Sequence, residues 1–261
     1  MKLAIISDIC GNMVALQAFL TEASRHQVKH IFCAGNVIGY GPHSRECWEL
    51  AMKRRFIVTR GEMEHLVGYG TFAGPMSEHM HKMLLLTMAQ FNPETRSLMC
   101  KMTMIKHIPI ITGYVLVMGH STLADSTGGR RINDTISIHS ELDLLQSFYA
   151  NANILILGNN TFPIFMSSRG TYVERNCHQF GQIFHMAKGR RYLINPGSIG
   201  RPIDGEKPDK DGCLHFTYAI LTIETSGINV TYYRTKYEPK EHVKEMRHKG
   251  FPEVFIQQFT K

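Results

Sequence analysis

The sequence lacks the features of a membrane or secreted protein. No window of its 261 residues approaches the roughly 20 consecutive apolar residues that span a bilayer. The apolar start, Met1 to Ile6, is too short for a signal peptide, and polar residues follow it at once. The six cysteines form no CxxC pair, which is typical of free thiols in a reducing compartment. We therefore expect a cytoplasmic protein.

A concentrated basic region is also missing, although the chain carries a net charge of +7. An excess of this sign favours an anionic partner. The basic residues are scattered, however, and no basic stripe with interleaved aromatic residues is present to follow a nucleic-acid strand. We therefore expect no nucleic-acid binding. A nucleotide or phosphate ligand and a protein partner, which the sequence does not identify, are the open alternatives.

The composition is that of a globular protein, with 43% hydrophobic and 20% charged residues. Its first part alternates between short apolar strands and amphipathic helices. The predicted strands are Leu3–Ile6, His30–Ala34 and Phe56–Thr59, and the predicted helices cover Met13–Ala23 and a segment that Ser44 caps. This alternation predicts a parallel sheet with right-handed crossovers.

The rest of the chain is helical in the middle and mainly strands towards the end. Helices are predicted over His79–Met88, from Asn92-Pro93 and from Ser140, with a buried strand at Ile154–Leu157. Hairpins are predicted around Gly113 and Ser226-Gly227, and further strands at Ile164–Met166, Thr171–Glu174, Gln182–Met186 and Arg191–Ile194. We expect one α/β domain over residues 1–261, with two facing sheets, outer helices and a closing helical segment from Pro239 to Lys261.

Polar and glycine-rich segments follow the predicted strands, at the sheet edge where the functional groups of α/β proteins gather. They are Ser7-Asp8-Ile9-Cys10-Gly11-Asn12, Gly35-Asn36-Val37-Ile38-Gly39, Gly61-Glu62-Met63-Glu64, Met118-Gly119-His120, Gly158-Asn159-Asn160-Thr161 and Asn195-Pro196-Gly197-Ser198. In order and spacing, the chain resembles the calcineurin-like metallophosphoesterases, in particular the small bacterial and archaeal members. The corresponding family motifs are DxH, GDxxxxG, GNHE, HG, GHTH and NPGS. The resemblance implies a four-layer α/β/β/α sandwich.

The resemblance also implies where two divalent metals would bind. The family's ligand positions fall on Asp8, Cys10, Asn36, Glu62, Met118, Asn159 and Thr161. Only Asp8 keeps the family's residue type. The family's catalytic histidine corresponds to Met63, whose thioether can neither donate a proton nor stabilise charge on a leaving oxygen.

These replacements predict that the chain has lost the two-metal site. Asn36 stands in place of the bridging aspartate and removes a negative charge that two close cations would share. Met118 offers a soft thioether where a harder ligand is expected. Without a metal-activated water, phosphate ester hydrolysis has no nucleophile at neutral pH. We therefore expect an impaired or inactive phosphoesterase, that is, a pseudoenzyme with a binding or regulatory role and no metal cofactor.

One alternative keeps a phosphoesterase or phosphodiesterase with an altered site. Asp8, Cys10, Glu62 and His120 have side chains of the types that bind zinc, and together they could hold a single Zn or Mn ion. Each also has an ordinary structural interpretation. Cys10, for example, can fill a vacated pocket as a small apolar residue, and Glu62 can begin a helix. The sequence does not identify a substrate for such an enzyme.

Overall fold

The computed structural model describes residues 1–70, 75–125, 132, 135–168 and 180–260 of the chain. Its strands are β1 Lys2–Ile6, β2 His30–Cys33, β3 Ile57–Val58, β4 Ile105–Ile111, β5 Tyr114–Gly119, β6 Ile154–Leu157, β7 Ile164–Ser167, β8 Ile183–Met186, β9 Tyr192–Asn195, β10 Leu214–Glu224 and β11 Gly227–Tyr237. Its helices are α1 Met13–Arg25, α2 Ser44–Lys53, α3 Glu62–Tyr69, α4 Glu78–Met88, α5 Pro93–Lys101, α6 Thr135–Phe148, α7 Lys240–His248 and α8 Glu253–Ile256, and a 3₁₀ turn follows at Gln257–Phe259.

The first sheet has the strand order β3-β2-β1-β10-β11-β8. Strands β1, β2 and β3 are parallel, as the alternation of strands and helices predicted. Strand β1 then pairs with β10 in antiparallel fashion, with Leu3 opposite Leu221. The first sheet is therefore mixed, because the C-terminal hairpin β10–β11 adds antiparallel strands to the parallel N-terminal strands.

The second sheet has the order β4-β5-β6-β9-β7. Its centre is parallel, since β6 lies between β5 and β9 and runs in the same direction as both. Antiparallel strands β4 and β7 form the two edges. The parallel strands of both sheets carry the glycine-rich turns at their carboxyl ends, which is where the candidate site forms.

Buried side chains divide into three layers, because successive residues of a strand point to opposite faces. Along β1, Leu3 and Ile5 lie between the two sheets, whereas Ala4 and Ile6 face the helices outside the first sheet. On the far side of the second sheet, Leu145 of α6 packs in a third cluster. This arrangement confirms the predicted α/β/β/α sandwich.

Some predicted boundaries differ from the structure. Ser44 is the first residue of α2 rather than its cap, because its hydroxyl accepts from the N–H of Gly39 and donates to Gly41 O in the preceding turn. Helix α6 begins at Thr135, and Ser140 lies within it. The predicted strand Thr171–Glu174 lies outside the described residues. No helix in the described ranges is both long enough and apolar enough to cross a bilayer.

Candidate functional site

The turns after β1 and β2 lie against each other at the edge of the first sheet. The N–H of Asp8 donates to Gly35 O at 3.1 Å, and the N–H of Cys10 donates to Asn36 O at 2.8 Å. Asp8, Cys10 and Asn36 all have left-handed backbones, with φ values of 53°, 51° and 54°. Asp and Asn adopt this region more readily than most residues, while Cys10 is held there by its neighbours. The two turns therefore place these three residues, each 2% exposed, at one buried site.

A hydrogen-bond network joins Asn36 to Asp8. The side-chain amide of Asn36 donates from Nδ2 to Asp8 Oδ1 at 3.1 Å, and its Oδ1 accepts from the N–H of Met63 at 2.9 Å. The second bond sets the orientation of the amide, because only its oxygen can accept a backbone N–H. The amide nitrogen therefore faces the carboxylate.

The other carboxylate oxygen of Asp8 is also engaged by the protein. Its Oδ2 accepts from the hydroxyl of Ser7 at 2.6 Å and from the N–H of Asn159 at 3.0 Å. Asp8 is 2% exposed, so protein donors rather than solvent satisfy its oxygens. The bond from the N–H of Asn159 also joins the Gly158–Thr161 turn, which follows β6, to the same site.

Glu64 anchors the Asn36 turn from the first turn of α3. Its carboxylate accepts four backbone N–H bonds, from Asn36, Val37, Ile38 and Gly61, at 2.7 to 3.2 Å. Complete burial raises the pKa of Glu64, and this rise is opposed by His120 and by the backbone hydrogen bonds. The acidic residue at the end of the predicted GNHE-like segment thus holds the turn that carries Asn36.

Three further predicted ligand positions are Met118, Cys10 and Thr161, and their side chains are buried or hydrogen-bonded within the protein. Met118 is completely buried in the layer between the sheets. Burial, and after it the charge of Asp8, raises the pKa of the Cys10 thiol, so the thiolate that binds metals or attacks substrates is disfavoured. Thr161 accepts the N–H of Asp204 at 3.2 Å through its hydroxyl.

Met63 occupies the position of the expected catalytic acid and is completely buried. Its side chain packs on Gly39, where an added Cβ would lie 2.6 Å from the Cγ of Met63. Glycine is needed at position 39 for two reasons: its φ of +88° is unfavourable for other residues, and a Cβ there would clash with Met63. Met63 is therefore a packing residue of the glycine turn.

The four side chains of the altered-site alternative do not form a ligand group. His120 Nδ1 lies 2.6 Å from Ala34 O, and its Nε2 is buried without a hydrogen-bond partner in the described ranges. Glu62 begins α3, as the structural interpretation expected. Among the residues that the structure describes, no three His, Cys, Asp or Glu side chains are grouped so that they could hold a metal ion.

Arg201 lies beside the site, and its role was not predicted from the sequence. Its guanidinium carbon lies 5.0 Å from the centre of the Tyr40 ring, and Phe255 packs edge-on against the same ring at 5.7 Å. The Ser198 hydroxyl accepts the N–H of Arg201 at 2.9 Å and lies 3.2 Å from Asp8 O, to which it donates. The signal that could have found Arg201 is its position three residues after Ser198 of the NPGS-like turn.

This donor set does not fit the two divalent cations that the resemblance implies. Asn36 presents amide hydrogens, not lone pairs, to the carboxylate that would have to bind a cation. A cation beside Asp8 Oδ1 would therefore meet the positive end of an N–H dipole. Cys10, Met63 and Met118 add buried sulfur groups without the negative charge that a pair of cations requires.

Comparison with known proteins agrees with the fold and the motif order. The family model of the calcineurin-like phosphoesterases matches residues 1–182. An uncharacterized protein of Methanocaldococcus jannaschii is 24% identical over 261 residues, covering 96% of this chain and 94% of its own.

Two solved structures have the same fold. A metallophosphoesterase from Sphaerobacter thermophilus aligns with a TM-score of 0.77 at 23% identity, covering 99% of this chain and 98% of that one. A hypothetical protein from Pyrococcus horikoshii aligns with a TM-score of 0.75 at 19% identity, covering 99% and 97%. With a family model that matches most of its length, the chain belongs to the calcineurin-like phosphoesterase family.

Proposed function

We propose that this chain is a catalytically inactive member of its family and acts by binding a partner. The observation that carries the proposal is the hydrogen bond from Asn36 Nδ2 to Asp8 Oδ1 at 3.1 Å. This bond engages, within the protein, an oxygen of Asp8, the only ligand position that keeps the family's residue type. The lost bridging charge and the inward-facing amide both disfavour a pair of divalent cations, and with them the activated water that hydrolysis needs.

The position of the catalytic acid supports the same proposal. Met63 is completely buried against Gly39 and has no titratable group. No proton can pass from this side chain to a leaving oxygen. A single lost ligand can be compensated, but here the cation site and the acid are altered together.

The hydrogen bonds of the pocket turns favour a protein partner over a nucleotide or phosphate. A turn binds phosphate through N–H groups that are free to donate to it. Here the N–H groups of Asp8, Cys10 and Gly11 donate to carbonyls of the neighbouring turn. Those of Asn36 and Val37 donate to Glu64. These donors are already engaged, so we propose that recognition uses the outer surface of the retained fold.

Metal analysis and a phosphodiesterase assay test the inactive state. We expect purified protein to contain far less than one Mn, Fe or Zn ion per chain. Its turnover of bis(p-nitrophenyl) phosphate with added Mn²⁺ or Zn²⁺ should equal that of Asp8→Ala, because no metal-bound water forms. A variant with all family residues restored provides the positive control: Cys10→His, Asn36→Asp, Glu62→Asn, Met63→His, Met118→His, Asn159→His and Thr161→His.

The same measurements decide on the altered-site alternative. The Nε2 of His120, which is buried and has no hydrogen-bond partner among the described residues, favours this alternative, since imidazole nitrogen is a good zinc ligand. Near-stoichiometric Zn or Mn in the wild type, with turnover that Asp8→Ala abolishes, would establish a single-metal hydrolase. Loss of that metal in Cys10→Ser would then assign the thiol as a ligand.

A further inference from the structure

Three basic side chains lie together at the open end of the β10–β11 hairpin: His215, Arg234 and Lys236. His215 is directly opposite Lys236, and Arg234 is opposite Thr217, two residues further along β10. Because side chains two residues apart point to the same side of a strand, the three share one face of the hairpin, which we call the basic face. Further along the same side of β10, Ala219 lies between the two sheets. The basic face therefore continues the inner surface of the first sheet.

An acidic segment of the chain covers the basic face. This segment comprises residues 204–212, and we call it the strap. Its Glu206 accepts a hydrogen bond through Oε1 from Arg234 Nη2 at 2.7 Å, and the same oxygen lies 2.7 Å from His215 Nδ1. An ionised carboxylate can only accept, so the His215 nitrogen carries the proton of this bond. One strap oxygen therefore engages two members of the basic face.

A second strap carboxylate engages the third member. Asp209 Oδ2 forms an ion pair with the Lys236 ammonium at 2.5 Å, and Asp211 lies 3.8 Å from the same ammonium. The other oxygen of Asp209 accepts the N–H groups of Asp211 and Cys213, at 2.9 and 3.0 Å, and its carbonyl accepts the N–H of Gly212 at 2.8 Å. Asp209 thus both folds the strap and attaches it to the hairpin.

The contacts that attach the strap are of a kind that another carboxylate can replace. Arg234 and Lys236 have side chains 38% and 54% exposed, and ion pairs of such exposed groups are weak and screened by salt. Gly205 and Gly212 have φ values of +82° and +75°, and a Cβ added at either would have no neighbour within 4 Å. The two glycines therefore serve the backbone turns at the ends of the strap without packing them into the protein.

We propose that the basic face is a docking site for an acidic segment of a partner protein, and that the strap occupies it as an internal competitor until the partner replaces it. This inference rests on the proposed function, because it names the surface and the chemistry by which an inactive member would bind its partner. The strap carries the matching chemistry, since the carboxylates of Glu206 and Asp209 bind all three basic groups from one short stretch of chain.

Binding of a fluorescein-labelled oligoglutamate peptide to the full chain at low salt, followed by fluorescence anisotropy, tests the docking site. The double variant Glu206→Gln/Asp209→Asn should bind the peptide about five- to tenfold more tightly than the wild type. The reason is that the apparent dissociation constant is inversely proportional to the fraction of molecules with a free basic face. The double variant Arg234→Gln/Lys236→Gln should bind about fivefold more weakly or less, because it removes the two exposed positive charges.

Two control variants separate this site from a general effect of net charge. Lys53→Gln/Arg54→Gln removes the same positive charge from the exposed end of α2. Glu241→Gln/Glu253→Gln removes two exposed carboxylates, as many as the strap variant does. Both controls should change the affinity by less than about twofold, since charges more than a Debye length from the bound peptide are screened.

Hydrogen exchange in the wild type gives a readout that needs no variant to fold. The peptide should displace the strap, so the amides of Gly212 and Cys213 should exchange faster when it is bound, because their hydrogen bonds to Asp209 depend on the folded strap. The amides of β1 should be unaffected. Raising the salt concentration in the absence of peptide should accelerate the same two amides, since it weakens the ion pairs of the strap.

The docking site would be overturned by three results: no peptide binding in either the wild type or the strap variant, equal losses in Arg234→Gln/Lys236→Gln and Lys53→Gln/Arg54→Gln, or peptide binding that leaves strap exchange unchanged. Tighter binding of an oligothymidylate than of the peptide would identify a nucleic acid as the ligand and would also overturn the proposal. Stoichiometric metal with turnover in the wild type would instead overturn the inactive state and leave the peptide measurements as they stand.

Discussion

Replacing Glu64 with alanine is expected to lower the free energy of unfolding by about 4 kcal/mol. The carboxylate is completely buried and accepts four backbone N–H bonds from two separate segments of the chain. Alanine leaves all four donors without their acceptor and opens a cavity between α3 and the Asn36 turn. Urea denaturation of the purified variant measures the loss.

Glu64→Gln separates the effect of the lost charge and lone pairs from the effect of the lost side-chain volume. Glutamine has almost the same shape, but its amide nitrogen would face two of the four N–H donors and cannot accept from them. We expect a loss of about 2 kcal/mol or more from this substitution. Glu253→Ala, at an exposed carboxylate, should change stability by less than about 0.5 kcal/mol. A glutamine variant as stable as the wild type would contradict the role assigned to Glu64.

The architecture was predictable because it is encoded in local patterns. The apolar residues of β1 and the helical stripe of α1 required only periodicity and strand length. The start of α2 was not predictable in this way. Serine is a common N-cap residue, but the Ser44 hydroxyl forms hydrogen bonds with Gly39 and Gly41 in the preceding turn instead of capping the helix. The competing partner is five residues away along the chain, and its approach depends on the backbone of a left-handed glycine.

The site was predictable as a set of positions but not as a set of contacts. Motif order placed Asp8 and Asn36 at neighbouring strand ends, and the structure joins them by a hydrogen bond. That bond depends on the N–H of Met63, which orients the amide from a third segment. The position of Arg201 likewise depends on backbone contacts nearly 200 residues apart in sequence, between Gly200 and Asp8. Periodicity and composition contain no information on such contacts.

The second large effect is a loss of stability at acidic pH, caused by His242 of α7. This histidine is 1% exposed, packs edge-on against Phe259 at 4.7 Å, and has an Nδ1 without a partner in the described residues. Burial, with a smaller contribution from His43, lowers its pKa from 6.5 to about 3. The unfolded chain therefore binds a proton below pH 6.5 that the folded protein does not bind until about pH 3.

Stability should accordingly fall as the pH decreases through this window, by about 1.4 kcal/mol per pH unit, or about 2 to 3 kcal/mol between pH 6.5 and 4.5. His242→Leu removes the titrating group, so this contribution to the loss of stability should be absent from the variant. Between pH 6.5 and 4.5, the unfolding free energy of the wild type should therefore fall by about 2 to 3 kcal/mol more than that of the variant. His248→Leu is the matched control, because it removes an exposed histidine from the same helix. Parallel urea titrations of the three proteins at several pH values measure these slopes.

The location of His242 gives this pH dependence a structural consequence. Helix α7 is followed by Lys249, whose ammonium donates to Pro42 O at 2.7 Å, and by Phe255, which packs on Tyr40. Weakening α7 at low pH should therefore loosen the turn that supports Arg201 and Tyr40 before the sheets unfold. Amide hydrogen exchange at pH 4.5 should show faster exchange in α7 and in residues 39–43 than in β1, and His242→Leu should abolish that difference. Uniform exchange across these segments would contradict a local effect of His242.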